Sequence, residues 1–405
     1  MKIYLVGGAV RDELLGLAVG ERDWVVVGAT PAELEIQGYK SVGRDFPVFL
    51  HPITHEEYAL ARLERKVAPG YRGFTTDFSP QVTLEEDLIR RDLTINAMAR
   101  DDEGNVIDPY GGQKDLAQRV LRHVSPAFNE DPVRILRLAR FAARFTKLGF
   151  TVAPNTLMLM QTMVAAGEAN ELVAERVWRE LKRALSETHP RACFEVLRAC
   201  GALQVILPEL NSLFGVPQSP QWHPEIDTGE HVLLALQIAA ERSASVPVRF
   251  ALLMHDLGKA LTPSDHWPRH HGHETLGLPV IDALCIRLRV PQEHRELARL
   301  ASRFHTHVHR GLELRADTLL QLFESCDAFR RPERFQEFLE VCECDARGRL
   351  GLAENPYPQR TRVQLALDAA ARISVEHRSN LKGPEIGEFL RTQRLAAIAD
   401  IIHQH

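Results

Sequence analysis

The sequence is poor in cysteine, and its cysteines are badly placed for pairing or for zinc. The six fall at 193, 200, 285, 326, 342 and 344. The one close pair, Cys342 and Cys344, has a single residue between its members, which is not a zinc-ligand spacing. A disulfide framework is excluded, and all six read as reduced thiols of a cytoplasmic protein. Long apolar runs are also missing. Lys2-Ile3-Tyr4-Leu5-Val6 stops at Gly7-Gly8, too short for a signal segment, and no stretch approaches a membrane span. Basic excess is absent too: 49 lysines and arginines face 54 aspartates and glutamates, a formal net charge of −5. That argues against indiscriminate nucleic-acid binding and leaves room for a local basic groove.

At 405 residues the chain is long enough for more than one core. Its first part is mixed. Strands are predicted at Ile3–Val6, Asp23–Val27, Val48–Leu50 and Glu57–Ala61, with a short helix at Val10–Leu15. Residues 66–81, punctuated by Pro69, Gly70, Gly73 and Pro80, read as an exposed loop. From about 130 onward the pattern is helical, with turns near 149–155, 167–170, 188–190 and 208–229. An α+β architecture follows: a mixed α/β head and an all-helical body.

Two constellations stand out. In the head, Gly7 and Gly8 join a strand to a helix. Small residues there let the backbone approach a ligand, and the helix start offers free N–H groups to phosphate. Arg11 lies one turn in. Glu21 and Asp23 are two residues apart; on a strand they would share a face and hold Mg²⁺ over a triphosphate. Arg90-Arg91-Asp92-Leu93-Thr94-Ile95-Asn96 sets polar residues inside an otherwise helical pattern, and such residues need partners. After Glu130-Asp131-Pro132, Arg134, Arg137, Arg140 and Arg144 form one helical stripe. No acid lies between 132 and 150 to balance it, so the stripe calls for an anionic partner. Asp131 and Arg134, one turn apart, offer acceptors and donors to a base edge.

The second constellation is rich in histidine. His231 begins one helix, and a second predicted helix, Phe250–Asp256, ends in His255-Asp256-Leu257-Gly258-Lys259. Adjacent imidazole and carboxylate at a helix end make a metal-binding corner. His270, His271, His273, His305, His307 and His309 follow, and few of them need be ligands. If His309 is only a surface histidine, its replacement by alanine should be mild.

These motifs together resemble the class II tRNA nucleotidyltransferases, the CCA-adding enzymes, and in particular their bacterial multifunctional form with a fused HD phosphohydrolase domain. The resemblance rests on Gly7-Gly8-Ala9-Val10-Arg11-Asp12 with Leu14-Leu15-Gly16, on the carboxylate pair, on Arg90–Ala97, on Glu130-Asp131-Pro132-Val133-Arg134, on Glu175-Arg176-Val177-Trp178-Arg179-Glu180, and on His231 with His255-Asp256. It spans essentially the whole chain. It implies a polymerase-beta-like nucleotidyltransferase head at 1–129, a helical nucleotide-selection and tRNA-binding region at 130–220, a helical HD domain at 221–354 and a helical tail at 355–405. It implies Mg²⁺ at Glu21 and Asp23 as catalytic carboxylates, and CTP and ATP bound by Gly8, Arg11, Arg91, Asp92, Asp131, Arg134, Arg137 and Arg140. In that family the Asp131 and Arg134 positions template cytosine and adenine, and the 175–180 helix braces them. In the HD domain it implies Ni²⁺ or another transition metal on His231, His255, Asp256 and a later acid, with Asp317, Asp327 and Asp345 all open. The implied activities are addition of C, C and A to tRNA 3′ ends, and 2′,3′-cyclic phosphodiesterase, 2′-nucleotidase and phosphatase activity, in a cytoplasmic monomer or homodimer. One departure stands out: the family has aspartate where this chain has Glu21, one methylene longer. A poly(A) polymerase shares the head, but would be expected to carry a basic C-terminal extension in place of the HD motif. An RNA-binding protein with a weakened polymerase site is the third reading, and only Glu21 favours it.

Overall fold

A computed structural model describes residues 1–42, 48–66, 74–374 and 383–404. It divides into two compact units. The first comprises Met1–Ala184 and Ala192–Ile206; the second comprises Leu185–Arg191 and Leu207–His405.

The first unit is built on β1 (Lys2–Val6), α1 (Gly8–Leu14), β2 (Asp23–Val27), α2 (Pro31–Ile36), β3 (Lys40–Val42), β4 (Val48–Leu50) and β5 (Glu57–Leu60). A short antiparallel pair, β6 (Leu63–Lys66) and β7 (Phe74–Asp77), follows, then α3 (Leu84–Ile89), β8 (Ala99–Arg100) and β9 (Val106–Ile107). Seven strands form one sheet in the order β3-β4-β5-β2-β1-β8-β9. β2 is central and buried on both faces. Val25 packs with Val6, Leu84, Leu88 and Ala99 on one side, while Val26 packs with Leu34, Phe49 and Leu60 on the other. Period-two alternation therefore puts Asp23 on the face of Val25. The predicted loop at 66–81 is corrected by β7. Four-residue strands give alternation too few residues to stand out beside glycine and proline, and Pro69, Gly70 and Gly73 lie outside the described residues.

Helices complete this unit: α4 (Gly112–Gln118), α5 (Val133–Phe145), α6 (Pro154–Ala165), α7 (Ala174–Ser186), α8 (Pro190–Ala199) and α9 (Ala202–Ile206), with a small parallel pair, β10 (Val120–Leu121) and β11 (Thr151–Val152). α5 buries Ile135, Leu138, Ala139, Ala142 and Phe145. α3 opens with a capping box, Thr83 with Glu86, and stops at Ile89. The helical pattern expected through Arg90–Met98 gives way to a 3₁₀ turn, Thr94–Asn96. Asp92, Thr94 and Asn96 are buried there, and partners outside the segment hold them in place of helix hydrogen bonds.

The second unit is helical: α10 (Pro208–Asn211), α11 (Thr228–Glu241), α12 (Val246–Met254), α13 (His273–Arg287), α14 (Gln292–His309), α15 (Ala316–Ser325), α16 (Pro332–Arg347), α17 (Pro358–Ala371) and α18 (Pro384–Gln404). α12 is apolar nearly all round, as a helix must be at the centre of a bundle, and packs against α11, α14 and α16. The Asp227 side chain caps α11 by accepting the Glu230 N–H, which sets the first turn carrying His231. α12 ends at Met254, two residues before the predicted end. His255 is its C-cap and Asp256 opens a 3₁₀ turn, Leu257–Leu261. All six cysteines are free and buried.

Candidate functional sites

The first unit holds a cavity of about 570 Å³ at the end of the sheet where β1 stops and β2 and β5 begin. Gly7 turns the chain there in the left-handed region, φ 69°. A Cβ at Gly7 would lie 3.0 Å from Arg91 Nη1, so the position has little room for a side chain. Asp23 is in register with Val6 of β1 and with Glu57 of β5, which puts a second carboxylate beside it at the cavity wall. β2 begins at Asp23, so Glu21 lies in the exposed approach, outside the ladder that would force the two onto one face. Desolvation raises the Asp23 carboxyl above its ordinary value; Arg91 opposes the rise and Glu21 adds to it. Asp23 and Glu57 stand side by side at the cavity edge, and adjacent carboxylates of this kind are the oxygen donors that Mg²⁺ takes.

Arginine is the commonest residue on the rest of the wall: Arg11, Arg62, Arg90, Arg91, Arg134, Arg137, Arg140, Arg144, Arg176, Arg179 and Arg183. Most are fixed in place by carboxylates behind them. Arg137 donates through Nε to Asp92 (2.7 Å), and Arg140 through Nε to the buried Glu180 (2.8 Å). Each bond uses one of the five guanidinium donors. Burial opposes a charged Asp92, but Arg137, the Asn96 amide and Arg134 outweigh it and hold its carboxyl well below the usual range. Arg11 is buried against the rings of Phe141 and Phe145 and is tied to Asp12 and Asn96. Arg144 holds the other oxygen of Asp12 at 2.9 Å.

Asp131 and Arg134 meet the same wall by different means. Arg134 donates both terminal nitrogens to backbone, to Ala127 O and Arg90 O at 2.6 Å each. Asp131 accepts a fork from Arg176, 3.0 and 2.7 Å, and caps the Val133 N–H. α7 thus supplies both Arg176 to Asp131 and Glu180 to Arg140. Of the residues singled out in the sequence, Gly8, Arg11, Asp23, Arg91, Asp92, Asp131, Arg134, Arg137 and Arg140 all line this cavity, and Glu21 does not. Glu57 and Arg183 were missed. Glu57 lies on a strand read only as apolar alternation, and Arg183 on a helix whose charged residues look like an ordinary solvated face.

The second unit holds a cavity of about 820 Å³ above the α12 end. His231 Nε2 lies 2.8 Å from Asp345 Oδ1, and its Nδ1 lies 2.8 Å from Glu225. His255 Nε2 is 3.2 Å from Asp256 Oδ2 and 3.7 Å from Asp345 Oδ2. His255 Nδ1 donates to Leu252 O at 2.7 Å, which leaves Nε2 as the ligating nitrogen. Asp345 is therefore the acid brought to this corner. Asp317 and Asp327 are instead engaged by Arg315 and Arg330 on other parts of the unit. His309 is not merely a surface histidine: its Nε2 stands 2.7 Å from Asp345 Oδ2 with Tyr357 behind it, because the last turn of α14 points into the cavity. His273 and His305 also reach Asp256.

His255 Nε2 and Asp256 Oδ1 are buried without a hydrogen-bond partner among the described residues. Burial works against a charged His255, but Asp256 and Asp345 more than offset it and push it up to about 9. Burial likewise opposes ionisation of Asp256 and Asp345; His255 with Lys259 in one case, and His255 with His309 in the other, keep both well below the carboxylate range. A buried imidazole nitrogen and a buried carboxylate oxygen without partners fit a transition-metal cation, which would displace the His255 Nε2 proton on binding.

Comparison with known proteins agrees with this division. Residues 3–122 match the Poly A polymerase head domain, residues 149–214 the "Probable RNA and SrmB- binding site of polymerase A", and residues 228–331 the HD domain. The Multifunctional CCA protein of Alkalilimnicola ehrlichii is 61% identical over 98% of this chain and 97% of its own length. That of Nitrosococcus oceani is 60% identical over 100% and 99%. Among solved structures, a CCA-adding enzyme in its apo form II superposes with a TM-score of 0.67 at 20% identity, covering 100% of this chain and 90% of that one, and shares its fold. The Thermotoga maritima CCA-adding enzyme complexed with tRNA gives 0.63, also at 20% identity, over 100% and 90%. With identity of this order over the full length of its relatives, the chain belongs to the multifunctional CCA protein family.

Proposed function

We propose that the first unit adds C, C and A to the 3′ end of tRNA, using CTP and ATP and releasing pyrophosphate. The single observation that carries this is one cavity holding the Asp23 edge, a fixed set of arginines and the braced Asp131–Arg134 pair. Glu21, Asp23 and Glu57 would hold Mg²⁺, which when bound supplies charge neutralisation at the reacting phosphates. The arginines do the rest of the electrostatic work: Arg11, Arg91, Arg137 and Arg140 bind the triphosphate in a set geometry, and their carboxylate partners pay the cost of ordering before the substrate arrives. The tRNA 3′ hydroxyl attacks the α-phosphorus in line. Asp131 and Arg134 present acceptor and donor atoms to the base edge, and Arg176 keeps Asp131 from turning away.

The helical stretch at 130–220 takes part in nucleotide selection and holds the acceptor arm through backbone phosphates, so affinity should fall as salt rises. The HD region, 221–354, hydrolyses phosphoesters, including 2′,3′-cyclic phosphates and 2′-nucleotides. His231, His255, Asp256 and Asp345 would hold Ni²⁺ or a similar ion, which supplies Lewis acidity when bound. The buried Lys259, 2.7 Å from Asp256, keeps that carboxylate ionised and oriented. We place the protein in the cytoplasm, as a monomer or homodimer.

The test is incorporation into tRNA lacking its 3′ end, with Mg²⁺ and each nucleotide in turn. Ordered C, C, A addition is expected. Long A tracts would indicate a poly(A) polymerase, and tight tRNA binding without turnover a protein whose polymerase site has decayed.

A further inference from the structure

The loop between α10 and α11 carries an exposed indole. Trp222 is 59% exposed and lines the second unit's cavity. It keeps a large, flat apolar face in water, which a stacked aromatic group would cover. The loop holds that face still. Its ends are joined by the bridge between Pro217 and Asp227, and the Gln218 N–H donates to Ile226 O at 2.7 Å. Inside it, the Trp222 and His223 N–H groups both donate to Ser219 O, at 3.0 and 2.9 Å. Glu225 fastens the loop to the segment that follows α16. One of its oxygens lies 3.0 Å from His223 Nδ1, and the other accepts the Leu350 N–H at 3.1 Å. A backbone fixed in this way loses little freedom when a ligand settles on it.

Arg349 stands in that second segment, on the same cavity wall. The other lysine and arginines of the wall are engaged: Lys259 by Asp256 and Gln218, Arg310 by Glu313, and Arg347 by Glu343 and the Ala353 carbonyl. Arg349 has no ion pair among the described residues, and its Nε is buried without a hydrogen-bond partner there. A guanidinium with its donors unused calls for an anion, and a phosphate matches its fork. Gln218 adds a neutral donor. It is 2% exposed, and its Oε1 accepts from Lys259 Nζ at 2.5 Å. An ammonium has no lone pair, so the amide oxygen must face Lys259 and the NH₂ must face away from it. That Nε2 is buried with no acceptor among the described residues. A buried donor left open is costly, and an oxygen-bearing ligand in the cavity relieves it.

We propose that Trp222, Gln218 and Arg349 form a nucleotide-recognition subsite, in which the indole stacks on the base while the amide and guanidinium donate to phosphate oxygens, so that the hydrolytic cavity selects nucleoside phosphoesters over phosphoesters without a base. The proposal rests on the reading of the second unit as a phosphohydrolase. The cavity, about 820 Å³, is of the size that encloses small organic ligands. Stacking needs only a π-face, so any of the four bases is accepted.

The experiment uses the full chain with Ni²⁺. It compares kcat/KM for 2′,3′-cyclic AMP with that for methyl β-ribofuranoside 2′,3′-cyclic phosphate, which keeps the sugar and the cyclic ester and lacks the base. The parent should favour the base-bearing ester about tenfold or more, through KM rather than kcat. Trp222→Ala should abolish that preference, and Trp222→Phe should retain most of it. Arg349→Gln should lower kcat/KM about tenfold on both esters alike. Gln218→Glu, which keeps the Lys259 contact but puts an acceptor where the donor was, should act in the same direction. Equal kcat/KM on the two esters in the parent overturns the base platform, whether or not any variant folds. A preference undiminished in Trp222→Ala overturns the role of Trp222, and parental values in Arg349→Gln or Gln218→Glu overturn the role of that residue. If the parent hydrolyses neither ester, the phosphohydrolase reading itself has failed, and the subsite falls with it.

Discussion

Asp23 is the residue on which the polymerase reading is most exposed. It ends the buried ladder of β2 and faces Glu57 across the register. Asp23→Asn keeps the size and removes the charge, so CTP incorporation should drop by about a thousandfold, on the order of 4 kcal/mol of barrier, with tRNA binding largely retained. Incorporation at the parental rate would refute the assignment. Glu21→Asp should give equal or higher activity, because Glu21 approaches the cavity from an exposed segment with freedom to adjust. A large loss would mean that the local backbone is adapted to glutamate. Asp131→Ala should relax discrimination among the four nucleotides more than it weakens tRNA affinity, since it removes a base-edge group. Arg176→Ala should do the same through Asp131; unchanged selectivity in both would sink the template reading. At this scale the sequence displayed residue types and local spacing well. It could not show Glu57, Asp345 or His309 in their places, because each reaches its site through a long-range pairing: a strand register for Glu57, and helix packing across the bundle for the other two.

Elements position these residues by close packing. α16 crosses α11 at Gly348, where a Cβ would lie 2.4 Å from Ala235 Cα, with backbone on the opposing side unable to yield. That approach lets Asp345 on α16 reach His231 on α11. Gly348→Val should therefore overpack the crossing, destabilise the second unit by about 1–3 kcal/mol or more, and sharply reduce hydrolysis of 2′,3′-cyclic AMP. Thermal melting alongside the activity assay checks it; parental values in both would show that the helices can separate without cost. In the first unit, α3 carries the fully buried Asp87, which receives Arg90 and Arg91. Burial opposes its charge, and the two arginines outweigh that and lower its carboxyl below 3.8. A carboxyl depressed in the folded state adds stability above its unfolded value and loses it as pH falls through the folded one. Asp87→Asn should thus lower hydrogen-exchange protection in β2 at pH 7, and the difference from the parent should shrink as pH drops below 3.8. A difference constant across pH would show that the pair contributes nothing through charge.

For the whole molecule, the two cavities are each lined by residues of one compact unit. Sites without shared partners tend to act additively. His255→Ala should eliminate cyclic phosphodiesterase activity with Ni²⁺ and leave CTP incorporation with Mg²⁺ nearly untouched. Loss of both with an unchanged melting profile would mean that the sites are coupled. A tRNA ending in a cyclic phosphate should become a substrate for CCA addition only when His255 is intact, if the hydrolytic unit serves repair of damaged ends.

What the sequence determined by itself was whatever local chemistry can specify: the strand–Gly-Gly–helix start, the buried β2 run, the arginine stripe on α5, the His255-Asp256 corner and the change from mixed to helical structure. Each depends on residues within a few turns of one another, where periodicity and capping act. Only the tertiary structure decided which of Asp317, Asp327 and Asp345 joins the corner, that Glu57 stands beside Asp23, that Arg176 braces Asp131, and that His273 and His305 face one carboxylate oxygen. Those outcomes depend on strand register and on where glycines let helices touch, and neither is written in any single stretch of chain.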